Sequence, residues 1–85
     1  MYSKEAVKVF LEKQMQLFDE PVAETPADAQ EFLEECMAVE VNNIREVRRY
    51  LDEMGADVSG MSAGELEEAA EVFRLPSGRY LIVEG

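Results

Sequence analysis

The residues with chemical potential are few. The chain has one cysteine, Cys36, and no histidine. Without histidine there is no neutral-pH acid–base side chain of the usual kind and no nucleophile–histidine dyad or triad. Zinc needs several thiolate or imidazole ligands, and Cys36 stands alone. No phosphate-cradling or dinucleotide-binding glycine pattern occurs. The segment 57–68 has a partial calcium-loop spacing, with Asp57, Ser59, Glu65 and Glu68 at positions one, three, nine and twelve. Position five is Met61, which cannot ligate, and position six is Ser62 where the loop needs glycine. A helix connection accounts for the same residues without a metal. Cys36 itself falls on the apolar side of its segment, where a free thiol is ordinarily an inert packing group. No catalytic, cofactor-binding or metal-ligating residue is therefore assigned.

What remains is charge. Nineteen acids against eight bases give a formal charge of −11. No lysine or arginine lies between Lys13 and Arg45, a stretch holding Asp19, Glu20, Glu24, Asp28, Glu31, Glu34, Glu35 and Glu40. Such a surface repels nucleic-acid phosphates and anionic lipid, and its natural counterpart is a basic protein patch. Net charge also serves solubility, with no partner required. The candidate contacts are two sets of carboxylates at helical spacing: Glu31, Glu34 and Glu35, and Glu67, Glu68 and Glu71. Arg45, Arg48 and Arg49 are the one basic cluster. The four-residue spacings Arg48–Asp52 and Arg49–Glu53 suggest surface ion pairs within one helix.

The elements that must carry these groups are readable from caps and periodicity. Ser3 can cap a first helix whose stripe is Val7, Phe10, Leu11, Met15 and Phe18, ended by Asp19-Glu20-Pro21. Thr25-Pro26-Ala27-Asp28 opens a second, with Phe32, Leu33, Cys36 and Met37 on its inner face. Residues 38–43 fit helix, strand or loop: the helical pattern can run straight through to Met54, but that helix would be unusually long for so small a domain, so a break is preferred, with Val39-Glu40-Val41 alternating like a short strand. Asn43 with Glu46 has capping-box spacing and opens a third helix, striped by Ile44, Val47, Leu51 and Met54 and stopped by Gly55. Ser62 with Glu65 is a second capping box, opening a fourth helix with Leu66, Ala69, Ala70 and Phe73 inward. The tail, Val72 to Val83, places β-favouring runs on either side of Pro76-Ser77-Gly78, a hairpin signature.

The 85 residues and 47% apolar content suit one thin-cored globular domain. The fold class expected is α+β: three to four small helices packed with a C-terminal two-stranded antiparallel hairpin. The last run, Tyr80-Leu81-Ile82-Val83, is apolar on both faces. Either helices cover it, or Leu81 and Val83 sit on an exposed edge that pairs with a partner or a second copy. Helices followed by a hairpin also suggest a winged helix-turn-helix. Its recognition helix would carry Glu65, Glu67, Glu68 and Glu71, the wrong charge for a groove lined by phosphates.

The combination Phe32-Leu33-Glu34-Glu35-Cys36-Met37-Ala38-Val39 with the ending Leu75-Pro76-Ser77-Gly78-Arg79-Tyr80-Leu81-Ile82-Val83-Glu84-Gly85 resembles a group of short acidic proteins. That group is associated with conjugative mobile elements of gut Firmicutes. The resemblance implies a bacterial origin and an accessory role on a mobile element, and it carries over no site residues. The reading as a whole is a cytoplasmic, non-catalytic protein-interaction or regulatory module. It needs no cofactor, contacts neither nucleic acid nor membrane directly, and is a monomer or homodimer. An acidic inhibitor mimicking nucleic acid is the alternative. A small metal-binding protein or enzyme is the third.

Overall fold

The computed structural model describes residues 2–84. It is α+β. Helix α1 is Lys4–Lys13, α2 Pro26–Glu35, α3 Ile44–Glu53 and α4 Ala63–Glu68; strands β1, β2 and β3 are Val39–Val41, Val72–Arg74 and Tyr80–Ile82. The helix starts follow the sequence caps. Ser3, Thr25, Asn43 and Ser62 each accept a backbone N–H three residues on, and Glu65 returns the favour at Ser62.

The hairpin turn is closed by Gly78 N–H on the Leu75 carbonyl and Leu75 N–H on the Arg79 carbonyl. Gly78 sits at φ +93°, which the turn demands and a side chain would resist. The hairpin is not alone, however. Strand β1 pairs with β3 in antiparallel register, Val39 opposite Ile82 and Val41 opposite Tyr80. The sheet therefore has three strands in the order β1-β3-β2.

This places β3 in the middle, which corrects the edge reading. Leu81 and Val83 have no exposed surface and cannot be partner contacts. Successive β3 residues point to opposite faces. On one face Leu81, Val83, Phe73 and Leu75 join Ala6, Val7, Phe10, Ala29 and Leu33 of α1 and α2. On the other, Val72, Tyr80 and Ile82 join Val47, Leu51 and Leu66 of α3 and α4. A strand buried on both faces reads as an uninterrupted apolar run. Covering helices, not an open edge, explain it.

The chain order β1-α3-α4-β2-β3 with β1 beside β3 is also that of a winged helix-turn-helix. Here, though, α2 packs with α1 across the sheet from α3 and α4, instead of completing a bundle with them.

Helix α1 is shorter than its stripe suggests. It ends at Lys13 and continues as a 3₁₀ turn, Gln14–Gln16. The cause is tertiary. The buried Gln14 amide donates to the Leu11 and Ala23 carbonyls and accepts from Val22 and Ala23 N–H. Three backbone groups of the connection to α2, and one carbonyl of α1, are satisfied by one side chain, and the helix yields to that demand. Met15, expected inward, is consequently exposed, as is Met54 at the end of α3.

Tyr2, just before α1, donates its hydroxyl to the Leu33 and Ala38 carbonyls at the far end of α2. Gln14, just after α1, reaches Ala23 before α2 begins. The two helices thus run antiparallel.

Candidate functional site

The carboxylates fall into two kinds. One kind is engaged by the fold. Glu5 accepts from Ser77 at the hairpin tip, Glu40 from Ser3, and Glu46 from Asn42 N–H. Asp57 accepts from Ser59, Glu65 from Ser62 N–H, and Glu67 from the Tyr80 hydroxyl at 2.6 Å. Two carboxylates of the would-be calcium loop, Asp57 and Glu65, are thus engaged by turn and cap. Among the described residues no group of three or more Cys, Asp or Glu side chains is placed to hold a metal ion.

The other kind is free of such bonds or nearly so, and it is spread over the fold: Glu12, Asp19, Glu20, Glu24, Asp52, Glu53, Glu68 and Glu84 are exposed, and four more stand together on α2. Asp28, Glu31, Glu34 and Glu35 are exposed on a helix with no basic residue. Among the described residues the side chains of Asp28, Glu31 and Glu35 accept no hydrogen bond, and Glu34 accepts only a long one from Gln30 Nε2 at 3.4 Å.

The second candidate set does not form a comparable face. Helix α4 ends at Glu68, and Ala69 is extended, so Glu71 lies outside the helix. Glu71 is half-buried, and its carbonyl accepts Val83 N–H at 2.8 Å. Glu67 is half-buried against Tyr80. Only Glu68 is exposed. The set also lies across the sheet from Glu31, Glu34 and Glu35, so the structure does not bring the two together.

The basic cluster is organised differently from the expected ion pairs. Arg48 donates to the Val58 carbonyl from one terminal nitrogen and to the Met61 carbonyl from the other, both at 2.6 Å. Its guanidinium is the tie between α3 and the loop before α4, not a partner for Asp52. The planar fork suits two carbonyls held side by side. Arg45 and Arg49 stay exposed beside a shallow depression that also contains Asp52.

Cys36 is half-buried at the C-terminus of α2, with its thiol 3.6 Å from the Leu33 carbonyl. Burial pushes its pKa up, with a smaller upward push from Glu35. A thiol so held is protonated at neutral pH and a poor nucleophile. Tyr2 and Tyr50 are also shifted up, chiefly by burial; Cys36 and Glu34 add to the shift at Tyr2, and Glu84 and Cys36 at Tyr50.

A feature absent from the sequence reading is the groove between α1 and α2. It measures about 620 Å³ and is walled by Tyr2, Val7, Leu11, Pro26 and Ala27. Lys4 and Lys8 stand on its α1 side and Gln30 on its α2 side. Gln30 Oε1 is buried there without a hydrogen-bond partner. The i, i+4 spacing of the lysines and the inward Val7–Leu11 pair were legible separately. Their convergence on a groove depends on α2 lying antiparallel, which no local pattern encodes.

No helix among the described residues is long and apolar enough to cross a membrane. Comparison with family models, with characterised proteins and with solved structures gives no match in any of the three.

Proposed function

We propose that this chain is a non-catalytic protein-interaction or regulatory module that meets a basic partner through the outer face of α2. The carrying observation is the grouping of four exposed carboxylates, Asp28, Glu31, Glu34 and Glu35, on one helix that has no base. Glu5, Glu40, Glu46, Glu65 and Glu67 are engaged in the fold, whereas Glu31 and Glu35 are exposed and accept no hydrogen bond among the described residues. Like charges at i, i+4 on one helix cost a few tenths of a kcal/mol each. Glu31–Glu35 is such a pair, and a cationic partner relieves the repulsion. The absence of histidine and the protonated, half-buried Cys36 weigh against catalysis.

The nucleic-acid-mimic reading draws on the same acids and on the resemblance to mobile-element proteins. It is the weaker of the two. A mimic needs a continuous phosphate-like track, and the α2 and α4 carboxylates lie in different helical layers.

Capture from the native host at low and high salt tests the proposal. A basic protein retained at low salt, released at high salt, and lost on charge reversal by Glu31→Lys/Glu35→Lys is the expected result. A chain that retains no protein at either salt contradicts it.

A further inference from the structure

We infer that the depression beside α3 binds the phosphate group of a small phosphorylated ligand through Arg45, Arg48 and Arg49. The site lies across the sheet from the α2 face and is independent of the reading given to that face.

The three arginines share one side of their helix. Positions 45, 48, 49 and 52 follow the i, i+3, i+4, i+7 spacing of a single helical face. With Val58 and Ser59 of the following loop they wall a depression of about 340 Å³. That volume lies at the lower end of the range for small-molecule sites.

Carboxylate partners are within reach and unused. Asp52 and Glu53 stand one turn beyond Arg48 and Arg49. Among the described residues Arg45 and Arg49 nevertheless donate no hydrogen bond, and Arg48 donates only to the Val58 and Met61 carbonyls. Those two bonds leave donors of the five-donor guanidinium unused. They also fix its plane, so the fold itself holds one of the three charges in place. Arg45 and Arg49 are a like-charge pair at i, i+4, and Arg45 stands in the first turn of α3, where the helix dipole disfavours a cation. Both arrangements destabilise the helix. An anion lodged among the side chains relieves both.

Charge and donor geometry select the ligand. Three guanidinium groups and the Asp52 carboxylate give the wall a net charge of +2. A phosphate monoester carries about −1.5 to −2 at neutral pH and three acceptor oxygens. Planar guanidinium forks bind such oxygens in pairs. The size of the phosphate's carrier follows from the chain as a whole. A net charge of −11 repels nucleic acid and anionic membranes. Within the depression the nearest charges dominate, because physiological salt screens exposed charges beyond about 8 Å. A small, freely diffusing phosphate ester meets both conditions.

Amide-resolved NMR of the full chain, titrated with glycerol phosphate into the millimolar range, tests this. The signals of Arg45, Arg49, Val58 and Ser59 are expected to shift saturably, and glycerol at the same concentrations should move none of them. Arg45→Gln/Arg49→Gln should weaken binding by on the order of 100-fold, about tenfold for each charge-assisted contact removed. Arg45→Lys/Arg49→Lys keeps both charges without the forks and should bind with intermediate affinity. Both side chains are exposed, and the same spectra report whether each variant is folded. Should the double Gln variant unfold, Arg49→Gln alone carries the test with a loss of about tenfold.

A wild type without saturable shifts overturns the inference. So do shifts centred on Lys4 and Lys8, equal shifts with glycerol, or a Gln variant that binds like wild type.

Discussion

Arg48 offers a sharp test of how the α3–α4 half is held. Its two terminal nitrogens donate to the Val58 and Met61 carbonyls. Those bonds hold in place the loop that delivers buried Val58 to the second core. Arg48→Met keeps the aliphatic stem and deletes both bonds. A hydrogen bond from a charged donor contributes ~1.5–3 kcal/mol when buried. The Arg48 side chain is half-exposed, so about 1 kcal/mol each, or about 2 kcal/mol together, is the working figure. In a domain of this size 1 kcal/mol moves the melting temperature by ~4–8 °C, so a fall of about 8–16 °C is expected. Arg48→Lys keeps the charge but loses the fork, and should recover less than half of that. The control is Asp52→Asn, which removes the ion pair suggested by i, i+4 spacing alone. An exposed helical pair contributes ~0.3–0.5 kcal/mol, so the shift should stay within about 4 °C. Thermal melts followed by far-UV circular dichroism measure all three. Equal losses for Arg48→Met and Asp52→Asn would show that the guanidinium serves the helix and not the loop, and would refute the argument.

Two further predictions concern the core and the tyrosines. Phe10 has no exposed surface and sits among Phe18, Phe32 and Phe73 at ring-centroid distances of 6.4, 5.6 and 5.7 Å. Phe10→Ala should cost ~3–5 kcal/mol, most of the stability of a domain this small, and equilibrium urea unfolding would read it as a midpoint near zero denaturant. Tyr80 is held above the ordinary tyrosine value of 10.0, first by its hydrogen bond to Glu67 and then by burial. Tyr2 and Tyr50 are raised chiefly by burial. The folded state thus binds these protons more tightly than the unfolded chain does. Their contribution is complete below the unfolded pKa and is lost as pH rises through the folded values. Urea midpoints should therefore fall above about pH 10, and Tyr80→Phe should flatten the fall. A profile that Tyr80→Phe leaves unchanged would remove Tyr80 as a cause.

Much of this fold was legible because its signals are local. Ser3, Thr25, Asn43 and Ser62 cap helices because a short side-chain oxygen meets the first free N–H groups, a matter of neighbouring residues alone. The Pro76–Gly78 turn was legible for the same reason, whereas Val39–Val41 fitted a strand and a continued helix alike until its pairing was known. What sequence could not supply was the pairing of β1 with β3, in which Glu40 and Leu81 are partners 41 residues apart. Without it, the doubly apolar Leu81–Val83 run admits both a covered and an open strand. Gln14 is the opposite case. Its type gives no hint that it will be buried and will end α1 early, because its partners belong to the connection folded over it. At the candidate site, the acids of α2 were legible as a face. Glu67 and Glu71 were not distinguishable from them, since only the tertiary fold draws one to Tyr80 and the other out of α4.

The account as a whole requires that α2 present its carboxylates for recognition and that the fold not depend on them. The melting temperature of Glu31→Gln/Glu34→Gln/Glu35→Gln measures that dependence. Removal of three charges from a strongly anionic chain should leave the transition unchanged or raise it by a few degrees. A fall of more than about 5 °C, equivalent to ~1 kcal/mol or so of lost stability, would show that these side chains belong to the scaffold and leave no free surface for a partner.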